Sequence, residues 1–300
     1  MPHELFAMHF VFRVEVSACR LVSGDNALLL QDETGMYLVT STEISADIAS
    51  MMPVSQHRLR SRLQGVCLLH TSEGEDDTPA IDPKLNPSTA TRLLAGVSVP
   101  DTPLVSRAIE YAREHCEPYL FNHVMRSWLF AVTLAQLRHT AYDEEILAVA
   151  TLLHDLGLAK AFDGPLRFEV EGANAARTFA RKEGIDARRT QLIWDTVALN
   201  STPSIAFYKE VEVALSTAGI GLDWGGWGYD TLTEAQVTSI VDAFPRLDMK
   251  QRFTRSVCGI VETRPDTTYD NFARDFGERF VPGYKRTSTV DYLLNSPFRD

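Results

Sequence analysis

"YDEEILAVATLLHDLGLAK", residues 142–160, decides the fold. Asp143, Glu144 and Glu145 open the stretch, and acidic side chains there suit the positive end of a helix dipole. An unbroken apolar run follows, of the kind a helix shows when it is buried on most of its circumference. It ends in His154 and Asp155 side by side, with Gly157 directly behind to let the chain turn away. Two polar side chains at the inner end of a buried helix have two readings. They bind a metal together, or they mark a helix terminus that merely reaches water.

The sequence on both sides repeats the helical texture. "LFNHVMRSWLFAVTLAQLRH", residues 120–139, places apolar residues every three or four positions and carries His123 among them. "EGANAARTFARKEG" predicts a helix ending in Gly184, and "DARRTQLIWDTVALN" predicts the next. "EVEVALSTAGIGLD", "TEAQVTSIVDAF" and "MKQRFTRSVCGIVE" continue the series, so residues 97–300 read as a mainly α bundle of packed helices.

The first 95 residues differ. "FVFRVEVSACRLV" and "ALLLQDETGMYLVTS" are rich in β-branched and aromatic residues, with "DETG" as a turn between two strands. "STEISADIASMM" reads as a short helix and "RLRSRLQGVCLLH" as a further strand. Residues 1–70 therefore form a small β-rich module, with which an OB-like barrel is compatible. Residues 71–96, acidic and rich in Pro, Ser and Thr, read as a linker.

Composition bounds the function. Hydrophobic residues make up 45% and charged ones 23%, as in a globular chain with a sizeable core. The net charge of −11 gives no overall attraction to nucleic acid or an anionic membrane, and neither is expected as a partner. No apolar run approaches the ~20 residues that span a bilayer. Four widely spaced cysteines, Cys19, Cys67, Cys116 and Cys258, form no metal or disulfide framework and point to a reducing, cytoplasmic setting.

His123, the His154–Asp155 pair and Asp223 each sit in or at the end of an apolar stretch, where an unpartnered charge costs several kcal/mol. Imidazole and carboxylate together suit Zn²⁺, Fe²⁺ or Mn²⁺. Taken singly, a histidine among apolar residues is more often a satisfied core side chain, and an aspartate after "GIGL" is as well explained as a cap. Their order along the chain carries more. It resembles the H…HD…D signature of the HD-domain superfamily of metal-dependent hydrolases. The words "VPDTPL", "LFNHVMRSWLFA", "LLHDLGL", "RFEVEGANAARTF", "WDTVALNSTP", "EVALSTAGIGLDWGG" and "FPRLDMKQRF" look like the cyanamide-hydratase-like branch, over about residues 97–298.

That resemblance implies an HD-domain helical bundle with one divalent metal, Zn²⁺ first and Fe²⁺ or Mn²⁺ as alternatives. Its ligands would be His123, His154, Asp155 and Asp223. It implies activated water adding to a small nitrile-like molecule, with Asp155 also moving the proton. Arg126, three residues after His123, shares its helix face and is expected either to orient a carboxylate or substrate or to form an interhelix ion pair. Phe168 and Glu169 are expected as a pocket wall, with helix-start electrostatics as the plainer account of Glu169 and Glu171. Lys160, with Arg126 and Arg167 one of the few cations near these words, is expected as a substrate-binding residue. In the family the word "VALNSTP" carries histidine where this chain has Asn200, which hydrogen-bonds but does not titrate near neutrality. That position is expected near the reaction and argues against a second metal. "GLDWGGWGY" reads either as a lid or, preferably, as a tightly packed loop.

Three functional readings remain at this stage. They are a hydratase or hydrolase of a small nitrogen-containing substrate, an HD phosphohydrolase acting on a nucleotide, and a degenerate HD protein that binds a ligand or partner. A homo-oligomer and a partner for the N-terminal module are both open.

Overall fold

The computed structural model describes residues 18–22, 27–32, 35–40 and 90–298. Contacts divide the chain into two units, residues 1–81 and 82–300.

In the first unit, strands β1 (Ala18–Val22), β2 (Ala27–Asp32) and β3 (Gly35–Thr40) pair antiparallel in sequence order. The register runs from Ala18 opposite Gln31 and from Ala27 opposite Thr40. Pairing of Asp32 with Gly35 closes β2 on β3 at the "DETG" word. The helix expected at "STEISADIASMM" and the strand expected at "RLRSRLQGVCLLH" lie outside the described residues, and with them the test of a barrel.

The second unit begins with a hairpin that the sequence reading did not contain. Strands β4 (Thr91–Leu94) and β5 (Val97–Pro100) pair antiparallel, and β4 lies inside the stretch read as linker. Ala95 and Gly96 between them both take positive φ, 50° and 82°, the backbone of a two-residue hairpin turn. Gly96 takes it freely, and Ser239 Oγ donates to Ala95 O at 2.8 Å to hold the less usual partner.

Helices then follow one another as the periodicity predicts. They are α1 (Pro103–His115), α2 (Pro118–Leu137), α3 (Glu144–Leu152), α4 (Phe168–Lys182), α5 (Ala187–Ala198), α6 (Pro203–Ala206) and α7 (Val211–Gly225). The series ends with α8 (Glu234–Ala243), α9 (Met249–Thr263), α10 (Ala273–Phe280) and α11 (Thr289–Leu294). None of the described helices is long and apolar enough to cross a membrane.

Local chemistry sets the ends of these helices. The Asp143 carboxylate accepts from Ile146 N at 3.1 Å, and Glu144 and Glu145 fill the first turn of α3. Thr233 and Gln236 form a reciprocal capping box on α8. Gly184, at φ 74°, follows α4 where the sequence placed its end.

Helix α2 is the central element, buried around nearly its whole surface from Tyr119 to Ala135. Helix α7 crosses it closely because Gly219 has no side chain; a Cβ there would collide with Ser127 O and lie 2.7 Å from Ala131 N. Helix α3, buried beyond Glu145 and apolar there except for Thr151, packs in the same core. Thr151 Oγ1 donates to Ser216 Oγ across the α3–α7 contact at 2.9 Å.

Candidate metal centre

Two core segments, α2 and the turn after α3, deliver the polar residues to one place. His123 lies in the second turn of α2. His154 and Asp155 follow the end of α3, just before the 3₁₀ turn Leu156–Leu158. All three side chains are buried, and one ligand atom from each falls within 4.8 Å of the others.

Hydrogen bonds fix which atoms face inward. His154 Nδ1 lies 2.7 Å from Thr151 O, and a carbonyl only accepts, so Nδ1 carries the proton. His123 Nδ1 lies 2.6 Å from Asp223 Oδ2, and the same argument protonates it. Both imidazoles therefore turn Nε2 lone pairs toward Asp155 Oδ2, at 3.3 Å from His154 and 3.5 Å from His123. His154 Nε2 and Asp155 Oδ2 are buried and have no hydrogen-bond partner. Converging lone pairs in a dry site repel one another unless a cation sits between them. Zinc ligands at about 2.1 Å in a tetrahedron stand about 3.4 Å apart, close to the spacing seen. The donor set fits a divalent metal.

Electrostatics divide the two imidazoles: without a metal, Asp155 draws His154 toward its charged form, while His123 is pushed toward the neutral one. Burial pushes the Asp155 pKa upward, but the His154 and His123 rings outweigh it and hold the carboxyl below its usual range. Burial likewise opposes a charge on His154, and Asp155 overcomes it, so its pKa rises. For His123 burial outweighs Asp223, and its pKa is lowered. A neutral imidazole is the form that binds metal.

Asp223, expected as a fourth ligand, does not belong to this cluster. It lies in the last turn of α7, and both of its oxygens are engaged by cationic or N–H donors. Arg126 Nε donates to Oδ1 at 2.7 Å and Arg126 Nη2 to Oδ2 at 2.9 Å, a two-pronged pair in which both partners are buried. Arg246 Nη1 donates to Oδ1 and to Asp223 O, each at 3.0 Å. His123 completes Oδ2. This is the arrangement in which a carboxylate orients a ligand imidazole from behind. Arg126 itself is held by Phe244 O at 2.7 Å and Pro245 O at 3.2 Å, so it positions Asp223 and does not line the cavity.

The cluster forms the polar end of a cavity of about 220 Å³. Asn200 and Ser201 border this end. Asn200 Nδ2 donates to His154 O at 3.0 Å, which ties the ligand-bearing turn to the segment after α5. Phe168 lines the wall as expected. Glu169 does not; it is fully buried behind, accepting from Ser201 Oγ at 2.6 Å and from Arg167 Nη2 at 2.9 Å. Glu171 accepts from Leu166 N at 3.0 Å near the start of α4, the plainer of its two readings. Lys160 belongs to a different cavity, of about 370 Å³, shared with Asp163 and Arg264.

Gly157 serves the site by closeness. It is not among the residues with positive φ, so no left-handed turn requires it. A Cβ there would collide with Phe168 O and stand 2.9 Å from Gly172 N. Its absence lets α4 start against the turn that carries His154 and Asp155, and this brings Phe168 to the cavity.

The remaining wall was missed in the sequence. Trp224, Phe253 and Phe272 have ring centroids 6.2–6.3 Å from one another, and Ile220 and Trp227 continue the apolar lining. His123 meets Phe253 edge-on at 6.4 Å, so this wall abuts a proposed ligand. Trp227 lies on Gly221, where any Cβ would strike its ring, but Trp224 to Tyr229 are exposed, so "GLDWGGWGY" is not the tightly packed loop preferred from the sequence; both tryptophans line the cavity. Aromatic residues at helical spacing look like ordinary core, and nothing in their words distinguished them. Arg246 lay in a word noted only for its resemblance.

Residues 120–247 match the family model of the HD domain. The match supports the HD-domain superfamily for this segment, and His123, His154, Asp155 and Asp223 all fall inside it. HD domains are typically those of metal-dependent hydrolases, and the buried His–His–Asp cluster is compatible with that chemistry. No curated protein matches the chain.

Proposed function

We propose that the chain is a metal-dependent enzyme that adds water to the carbon of a small cyanamide- or nitrile-like substrate, giving a urea or an amide. The observation that carries this reading is the convergence of three buried lone pairs at the end of an apolar cavity. A divalent ion held by His123, His154 and Asp155, with zinc favoured over iron or manganese, supplies Lewis acidity and lowers the pKa of water toward neutrality.

The chain's own residues then have separable roles. Water's oxygen bonds to the substrate carbon, one C–N π bond breaks, and the nitrogen takes a proton; a second proton shift yields the amide. Asp155 Oδ2 faces the two imidazoles, which leaves Oδ1 as the atom that accepts a proton from water and returns it to nitrogen. Asn200, anchored on His154 O, keeps the His–Asp turn in place and presents an amide to the substrate. Asp223 and Arg126 hold His123 in the tautomer that points Nε2 inward.

The phosphohydrolase reading has less support, because the cavity lining contains no lysine or arginine to receive a phosphate. A purely binding role leaves the buried, unpartnered His154 and Asp155 atoms without a purpose. Elemental analysis of the purified protein beside His154→Ala, with turnover assays on cyanamide, nitriles and nucleoside monophosphates, tests all three. One metal per chain in the wild type, lost in the variant, with urea or amide released, is expected. Phosphate release without urea or amide would overturn the hydration reading.

A further inference from the structure

The cavity is much larger and more apolar than a three-atom substrate such as cyanamide requires. A dry cavity of about 150 Å³ lined by aliphatic and aromatic groups accommodates benzene. At about 220 Å³, the cavity beside the cluster has room for one ring and a small reacting group attached to it. One wall is the Trp224, Phe253 and Phe272 triangle, which reaches His123 through Phe253, with Ile220 and Phe168 also in the lining. Phe168 meets Phe272 edge-on at 5.8 Å, which extends the same aromatic surface toward α4.

Two features make this wall a specificity element. Phe253, in α9, and Phe272, just before α10, lie beyond residue 247, outside the segment that matches the HD domain. Two of the three rings of the triangle therefore come from outside the segment that carries the proposed ligands, and Trp224 from inside it. The polar end is confined to His123, His154, Asp155, Asn200 and Ser201, and none of the lining residues carries a fixed positive charge. Away from the proposed metal, a charged or strongly hydrated group would lose its water against aromatic faces and gain no partner. An uncharged ring offered to them gains edge-to-face contacts and apolar burial.

We infer that the substrate is an uncharged molecule with an aryl group, or an alkyl group of similar bulk, on the carbon that is attacked. This deepens the hydration reading and rests on it for the reacting group. The apolar subsite itself rests on the wall alone. Edge-to-face packing on the triangle would hold the ring and leave its small polar substituent facing Asp155 and Asn200.

Calorimetric titration of the full chain with benzamide, acetamide and phenyl phosphate, metal-loaded for the two amides, tests the subsite without any turnover. Benzamide is expected to bind at least about tenfold more tightly than acetamide, since single apolar groups in such pockets discriminate by about 10–200-fold. Phenyl phosphate, titrated into chelator-treated chain so that no metal can hold its phosphate, is expected to bind more weakly than benzamide. Phe272→Ala, at a half-buried position, is expected to raise the affinity for 1-naphthamide relative to benzamide while metal content stays at the wild-type level. Equal binding of benzamide and acetamide, tighter binding of phenyl phosphate, or an unchanged naphthamide preference in Phe272→Ala would overturn the inference. Hydration of benzonitrile is scored separately. Tight benzamide binding with no hydration of any nitrile would leave the subsite standing and remove the proposed reaction.

Discussion

His123 Nδ1 and Asp223 Oδ2, one hundred residues apart in sequence, stand 2.6 Å from each other in the core between α2 and α7. The contact turns the other ring nitrogen toward His154 and Asp155, so the aspartate determines how the histidine can act without joining it. It also explains why Arg126 is tolerated with no exposure at all: its guanidinium neutralises the carboxylate that orients His123.

Asp223→Asn separates orientation from ligation. The amide still fits between Arg126 and His123 but cannot satisfy both with charge-assisted bonds. Loss of an outer partner of a ligand imidazole typically lowers metal affinity by about 10–100-fold. The variant is expected to bind zinc in that weakened range and still fill at saturation, whereas Asp155→Ala does not fill. A competitive chelator titration measures both, and equal loss in the two variants would place Asp223 in direct contact with the metal.

Arg126→Met probes the same pair from the other side. Removing one partner of a buried ion pair costs about 3–5 kcal/mol, because the other charge stays behind. Arg246 continues to donate to Asp223 Oδ1 at 3.0 Å, so the lower end, about 3 kcal/mol, is expected. Urea unfolding of the metal-free protein reads this directly. Arg126→Lys keeps the charge but loses the fork and should fall between Met and wild type.

Gly157→Ala should be costly for one added methyl group. The new Cβ collides with Phe168 O, a backbone atom that cannot rotate away, so α4 or the His–Asp turn must shift. Overpacking of this kind costs about 1–3 kcal/mol. Since the same contact sets Phe168 in the cavity wall, ligand binding is expected to weaken more than stability does. Thermal unfolding and benzamide titration on the same preparation compare the two. Wild-type behaviour in both would show that the close approach is not needed.

The parts of this molecule that were legible in sequence are those governed by local rules. Asp143 with its acidic first turn, the apolar run of α3 and Gly184 all set helix ends through neighbours within four residues, and periodicity did the rest. His123, His154 and Asp155 were legible because buried polar residues in apolar stretches need a reason. The place of Asp223 outside the cluster was not, since a ligand and an orienting carboxylate look alike in sequence until the positions of Arg126 and Arg246 are known. Neither was the aromatic wall, assembled from three separate segments by packing alone. Glu169 and Lys160 show the same limit in reverse: sequence placed them near the turn, but the fold directs one behind the wall and the other into a second cavity. The β4–β5 hairpin escaped because its turn is Ala-Gly, without the Asn or Asp that usually announces one.

Acid should expose the Asp223 contacts in a metal-free preparation. Burial by itself would raise the pKa of this carboxyl, but the His123 hydrogen bond and the Arg126 pair outweigh it and hold the value well below the usual aspartate range. A group whose folded pKa is depressed stabilises the fold at pH above its unfolded value, about 3.9 for aspartate. The contribution disappears as pH falls from there through the folded value. Asp155 is depressed as well, so chelator-treated wild type is expected to lose stability steeply below about pH 4. Asp223→Asn carries no titrating group at that position, and its stability should start lower and fall less steeply over the same interval. Denaturant midpoints from pH 6 to pH 2 for the two proteins provide the comparison. Parallel curves would mean that Asp223 is not held charged by His123 and Arg126, and the orienting role assigned to it would fall with that result.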